Sequence, residues 1–284
     1  MSEPVIAAVV QMTSGPDVRA NLARAGALVR RAAERGARLI VLPENFAYFG
    51  DEERKCEFAE RFTPGEPPGG AIGLAACALS LETGAWIVWG GAPERTDATS
   101  ARTHNTSFVT SPAGEVAARY RKVHLFDVAL PDGSVYRESR AVAPGDEVAT
   151  VETPAGVLGL SICYDVRFPE LYRALVDRGA TLLTVPAAFT VPTGRDHWHL
   201  LLRARAVESQ CFVLAAAQWG THPNGRQTYG HALIVDPWGT VIAECADGEG
   251  VAVAEVDPER TRSIRASLPS LEHRVLDGAG EVRR

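Results

Sequence analysis

Apolar and β-branched residues fill positions 5 to 12. Val18, Leu22, Ala25, Leu28, Val29 and Ala32 then recur at helical steps before a second apolar run at 39 to 42. The opening therefore predicts strand, helix, strand. The same grammar predicts a helix over 70–83, a strand over 85–91, and a hairpin of strands over 105–110 and 115–121 around Ser111-Pro112-Ala113-Gly114. Strands are expected over 148–153 and 157–163 with Thr153-Pro154-Ala155-Gly156 as their turn, followed by a helix from Pro169 towards Arg178. A strand over 181–186, a helix over 197–209 and a strand over 212–217 come next. In the tail, strands over 232–235 and 241–244 flank the turn Asp236-Pro237-Trp238-Gly239, and a last strand is expected over 250–256.

Strands and helices that alternate, mixed with hairpins, indicate an α/β protein with a mixed sheet, or two sheets covered by helices, rather than an all-parallel barrel. No Gly/Ser-rich tether, low-complexity tract or charge block interrupts the chain, so one domain over 1–284 is expected, with a core of about 4–258 and a tail of 259–284. A composition of 46% hydrophobic and 23% charged residues can bury a sizeable core. The net charge of -6 argues against a nucleic-acid or anionic-membrane partner, because both require concentrated Lys and Arg. The N-terminal stretch lacks a basic leader and no apolar run is long enough to span a bilayer, so a cytoplasmic location is expected. Five cysteines scattered without CxxC pairs suggest neither a disulfide framework nor a zinc knuckle. Cys77, Cys211 and Cys245 sit among or beside Ala, Val and Phe, as small buried hydrophobes do.

Cys163 is different. It stands where the apolar run Leu160-Ser161-Ile162 stops and a helix is expected to begin, an address whose free backbone N–H groups and positive dipole end favour thiolate over thiol. Glu44 follows Leu39-Ile40-Val41-Leu42-Pro43, and Lys122 lies in Arg119-Tyr120-Arg121-Lys122-Val123-His124, so each is a charge at the end of an expected strand. If the fold unites these ends, Glu44 can take the thiol proton and pass it to a leaving amine while the thiolate attacks a carbonyl or nitrile carbon. Lys122 and the Tyr164 N–H would neutralise the oxyanion. The competing reading makes Glu44 a surface carboxylate near a helix start and Lys122 a solvated partner of Asp127 or Glu138.

Leu42-Pro43-Glu44, Tyr120-Arg121-Lys122-Val123-His124-Leu125 and Cys163-Tyr164-Asp165-Val166-Arg167-Phe168-Pro169-Glu170 resemble, in order, the three signature segments of the nitrilase superfamily of carbon–nitrogen hydrolases. The resemblance runs over essentially the whole chain. It implies a four-layer αββα sandwich with mixed sheets, a cofactor-free mechanism, a small-molecule amide substrate and a homodimer or higher homo-oligomer. It also implies a Glu base at Glu44, the Lys at Lys122, the nucleophile at Cys163 and a second, orienting Glu at Glu138. Leu202 to Cys211 and Tyr229 to Thr240 are similar to the Nit-type branch, in which Ala215-Ala216-Ala217-Gln218 and the ending Leu268-Pro269 to His273-Arg274 point to cleavage of the amide between 2-oxoglutaryl and cysteinylglycine groups. Hydrolysis of omega-amides such as 2-oxoglutaramate, or of N-carbamoyl amino acids, is the alternative chemistry, and a binding or scaffolding module is the non-enzyme alternative.

Two positions depart from the branch pattern: His199 stands where His-Trp-Glu is usual, and Ala232 where Tyr-Gly-His-Ser is usual. His197 and His199 lack a third ligand in the sequence pattern, so packing beside Trp198 is expected and no metal. Tyr164 and Arg167 are candidate substrate-binding residues. A 2-oxo acid suits the Arg167 guanidinium, although pairing with Glu170 along the helix is the favoured reading. Phe126, Tyr48, Phe189 and Trp219 could wall the pocket or belong to the core.

Overall fold

The computed structural model describes residues 4–96, 100–130, 133 and 135–276. In chain order its elements are β1 (Val5–Met12), α1 (Val18–Glu34), β2 (Leu39–Val41), α2 (Ala71–Thr83), β3 (Trp86–Arg95), β4 (Thr103–Thr110), β5 (Val116–Arg121), β6 (Asp127–Ala129) and β7 (Val135–Arg137). After these come β8 (Thr150–Thr153), β9 (Gly156–Leu160), α3 (Pro169–Asp177), β10 (Leu182–Thr184), α4 (Val191–Ser209), β11 (Phe212–Ala215) and β12 (Ala217–Thr221). The chain finishes with β13 (Gln227–Tyr229), β14 (Leu233–Val235), β15 (Val241–Glu244), β16 (Gly250–Val256) and α5 (Pro258–Ser267).

Among the described residues, one sheet has the order β13-β12-β1-β2-β3-β4-β5, with β16 also paired to β1, and a second has the order β15-β14-β11-β10-β9-β8. The first sheet has a parallel run β12-β1-β2-β3, with β13, β16 and β4 as its antiparallel partners, and the second a parallel run β9-β10-β11 flanked by the antiparallel β8 and β14. Successive side chains of a strand face opposite ways, and in β1 both faces are apolar. Ala7 and Val9 pack with Leu158, Leu160 and Val213 of the other sheet. Ala8, Val10 and Met12 pack instead with Ala25, Val29 and Ala32 of α1 and Ile72 and Ala76 of α2. On the far side, α3 and α4 cover β9, β11 and β14. The layers are helix, sheet, sheet, helix, the αββα sandwich.

The helices start where their capping chemistry allows. Asp17 accepts from Ala20 N (3.0 Å) to open α1. The Glu60 carboxylate, from outside the element, accepts from Ile72 N (2.8 Å) and Gly73 N (2.9 Å) to open α2.

Some expectations are corrected. The single strand over 212–217 is two, with β11 in one sheet and β12 in the other, so the chain crosses between layers at Ala216. The helix over 197–209 begins earlier, at Val191, after the N-cap Thr190 and with Pro192 in its first turn. The β6–β7 ribbon, β13 and α5 were not legible, being short or too polar to show a period.

Candidate active site

Strands β2, β3 and β5 run in one direction, because two antiparallel pairings separate β3 from β5. Glu44 and Lys122 therefore emerge at the same, carboxyl, edge of their sheet, where open α/β sheets place ligands. Cys163 emerges after β9, and its N–H donates to Pro186 O (2.9 Å) beyond the neighbouring parallel strand β10. The two sheets face each other, and the three side chains meet between them.

Lys122 Nζ donates to Glu44 Oε1 (2.9 Å) and to Glu138 Oε1 (3.1 Å) and Oε2 (2.9 Å). Asn105 Nδ2 of β4 bridges the same two carboxylates, at 2.9 Å to Glu44 Oε1 and 3.2 Å to Glu138 Oε1. Phe126 N donates to Glu138 Oε2 at 2.7 Å. Lys122 is 2% exposed and Glu44 3%, which removes the reading of either as a solvated surface charge. Such a buried cation requires compensation, and two carboxylates supply it.

The frame holding these groups is polar and buried. Gln218 Nε2 donates to Glu44 O (2.9 Å), fixing the strand end. At Gly91 (φ +35°) a Cβ would lie 2.6 Å from Asn105 Oδ1 and 2.9 Å from Glu44 Cγ, so only glycine lets β3 pass behind the base. The Asp165 carboxylate ties the Lys122 loop to the Cys163 turn. It accepts from Tyr120 Oη (2.8 Å), Ile162 N (2.8 Å), His124 N (3.1 Å) and His124 Nδ1 (2.8 Å).

Cys163 does not open an α-helix. It begins a 3-10 turn, Cys163–Arg167, with its own φ at +49°, and α3 starts only at Pro169. A non-glycine residue in that region is strained, as nucleophiles on sharp turns are. The expectation that helix-end dipoles favour the thiolate is overturned. Burial, and then the Glu44 charge, push the Cys163 thiol well above its usual range against the opposing pull of Lys122. A protonated thiol sharing a pocket with a carboxylate suits base-assisted attack, with thiolate formed at the moment of reaction. Burial lowers Lys122, yet the charges of Glu138 and Glu44 outweigh it and hold the ammonium protonated. Burial raises Glu138, but Lys122 and Lys55 outweigh it and keep that carboxyl well below the usual carboxylate range.

A cavity of about 190 Å³ opens over Cys163, lined by Glu44, Lys122 and Glu138 and further out by Lys55, Tyr164, Arg167, Phe189 and Arg226. Arg167 is not paired with Glu170 as favoured from the sequence. It approaches His197 Nδ1 (3.3 Å) and lies 5.3 Å from the Phe189 ring centroid. Phe126 and Phe189 wall the pocket, Tyr48 is buried with its hydroxyl on Asp51 O (3.1 Å), and Trp219 is not part of the lining. Arg226, which the sequence did not flag, sits between the rings of Phe49 (5.2 Å) and Tyr136 (5.0 Å). Its Nε is buried without a hydrogen-bond partner among the described residues. The other cysteines behave as expected: Cys77, Cys211 and Cys245 are buried, and burial pushes the Cys211 thiol up to about 12 and the Cys245 thiol to about 11.

A strained cysteine in one pocket with a carboxylate, a buried lysine and a second carboxylate on a double-sheet scaffold is the arrangement of an enzyme that attacks carbonyl carbon. Residues 6–266 match the family model for carbon-nitrogen hydrolases, and the chain belongs to that family. Deaminated glutathione amidase of Synechocystis sp. is 45% identical over 276 residues, covering 96% of this chain and 99% of that protein. Omega-amidase NIT3 of Saccharomyces cerevisiae is 37% identical over 287 residues, covering 99% and 97%. The crystal structure of the Caenorhabditis elegans NitFhit protein superposes with a TM-score of 0.85 at 37% identity, covering 96% of this chain and 65% of that one. Among the described residues, no helix is long and apolar enough to cross a membrane.

Proposed function

We propose that this protein hydrolyses deaminated glutathione, cleaving the amide between its 2-oxoglutaryl group and cysteinylglycine through a thioester on Cys163. Glu44 takes the thiol proton as Sγ attacks the amide carbon, and Lys122 with the Tyr164 N–H balances the oxyanion. The proton then passes from Glu44 to the departing amine. Water, activated by the same carboxylate, attacks the thioester and releases 2-oxoglutarate and free thiol. Glu138 orients the Lys122 ammonium and balances its charge. No cofactor enters these steps.

The observation that carries the reading is the pocket, which brings the Lys122–Glu44 pair and Cys163 into one lining and adds guanidinium groups at Arg167 and Arg226. Deaminated glutathione carries a carboxylate at each end, so two separated cations suit it, and planar guanidinium is the group that holds carboxylate bidentately. The 45% identity to a protein of that name supports the same substrate. The second reading, omega-amidase activity on 2-oxoglutaramate, draws on the similarity to NIT3 and shares the acyl group, differing only in the leaving amine.

The test is release of 2-oxoglutarate from deaminated glutathione and from 2-oxoglutaramate by wild-type protein and Cys163→Ala. Faster Cys163-dependent turnover of the first substrate is expected. Preference for the second would make the protein an omega-amidase, and wild-type rates in Cys163→Ala would overturn the mechanism. The proposal includes a homodimer in the cytoplasm, which sedimentation and fractionation of the native protein would check.

A further inference from the structure

His199 on α4, His231 just before β14 and Glu244 at the end of β15 converge outside the pocket. His199 Nε2 and His231 Nδ1 both lie against Glu244 Oε1, at 2.9 Å and 2.7 Å. One ligand atom from each of the three falls within 4.8 Å of the others. We propose that this triad binds a zinc-class divalent cation that pins α4 to the β14–β15 hairpin.

The chemistry of the donors selects the ion. Two imidazoles and one carboxylate suit zinc and its borderline neighbours, whereas magnesium and calcium prefer oxygen alone. Three protein ligands leave the fourth tetrahedral position to water. The geometry is close to what coordination needs. With bonds of about 2.0–2.1 Å, ligand atoms around a tetrahedral zinc stand roughly 3.3 Å apart. Each imidazole must therefore withdraw from the carboxylate by roughly half an ångström, and side chains 35%, 28% and 33% exposed have that freedom.

Protons balance without a change in net protonation. A carboxylate only accepts, so in the metal-free cluster the facing nitrogen of each neutral imidazole carries the hydrogen. When the ion binds, each ring moves that proton to its other nitrogen and presents a lone pair. For His231 the other nitrogen is Nε2, which lies 3.9 Å from Asp247 Oδ1. An outer carboxylate facing the free N–H is the usual means of orienting a metal-binding imidazole.

The surroundings hold His231 ready. It occupies left-handed backbone (φ +56°), its carbonyl accepts from Trp198 Nε1 (2.8 Å), and its ring lies 4.5 Å from that of Tyr229. His197 and His199 do not act as a pair, in line with the sequence expectation. Residues two apart on a helix face different ways, and His197 turns to Arg167 while His199 turns away to Glu244. The ion would thus stiffen the helix whose His197 contacts a pocket arginine, without entering the chemistry at Cys163.

The test uses the whole protein, equilibrated with excess zinc, desalted, and assayed for bound metal by mass spectrometry and for melting temperature against a chelator-treated control. The wild type should retain about one equivalent per chain and melt higher than the control. His199→Gln and Glu244→Gln should lose both effects, the glutamine at 199 still being able to donate to Glu244. Cys163→Ala should keep both, excluding the active-site thiol as the ligand. A wild type that retains no zinc, variants that retain the full equivalent, or loss of zinc in Cys163→Ala would each overturn the proposal.

Discussion

Asp165→Asn removes the charge that joins the Lys122 loop to the Cys163 turn, and the cost can be worked from its four hydrogen bonds. Oδ2 serves Tyr120 Oη and Ile162 N, and Oδ1 serves His124 N and Nδ1. Asparagine keeps one acceptor oxygen. Whichever way its amide is turned, the NH2 group confronts a backbone N–H, that of Ile162 or of His124, in a site with 0% exposure. Two bonds to a charged group, at about 1.5–3 kcal/mol each, are lost, for a total of about 3–6 kcal/mol. The Tyr120 hydroxyl can rotate and accept from the new amide, which favours the lower end, about 3–4 kcal/mol. That is a large share of a typical folding stability of about 5–15 kcal/mol. Urea unfolding should place the variant's midpoint well below the wild type's. Turnover should also fall at least about tenfold, because the nucleophile and Lys122 lose their common anchor. A loss below about 1 kcal/mol with unchanged kcat would refute the assignment of Asp165 as the tie between the two segments.

Glu138→Gln should lower kcat by roughly 10–100-fold, less than Cys163→Ala, since it weakens the orientation and charge balance of Lys122 without removing a reacting atom. Steady-state kinetics checks this, and unchanged constants would take Glu138 out of the site. Arg226→Ala should raise KM about tenfold for an amide with a terminal carboxylate and leave kcat near wild type, a split absent with a neutral analogue. Burial lowers the His222 imidazole to about 4, against the bond from its Nδ1 to Ser14 O. The unfolded chain, titrating near 6.5, then binds the extra proton between those values, so stability falls as pH drops from about 6.5 to about 4, by roughly 3 kcal/mol. His222→Gln should flatten that limb in urea titrations across the interval, and an unaltered slope would remove His222 as its source.

The reacting groups were legible because Glu44 and Cys163 end apolar runs and Lys122 ends an expected strand, and strand ends at a sheet's carboxyl edge are where such groups collect. Their supports were not. Asn105 reads as an ordinary polar residue in a hairpin strand, and only the register that sets it opposite Pro93 brings it under two carboxylates. Asp165 follows the cysteine by two residues, yet its value lies in three donors from segments beginning at Tyr120, a distance no local pattern encodes. The turn at Cys163 was misjudged for a local reason. Pro169 sets the true helix start six residues later, leaving the thiol to burial and Glu44. Arg226 was missed because its role comes from the Phe49 and Tyr136 rings on either side of it.

The thioester on Cys163 is tested most directly by partition. Deaminated glutathione and 2-oxoglutaramate carry the same acyl group on different amines, so both must pass through one acyl-enzyme if the account holds. Turnover in the presence of hydroxylamine should then give the same ratio of hydroxamate to 2-oxoglutarate from either amide. A ratio that changes with the leaving amine would contradict a common intermediate, and with it the nucleophilic role of Cys163.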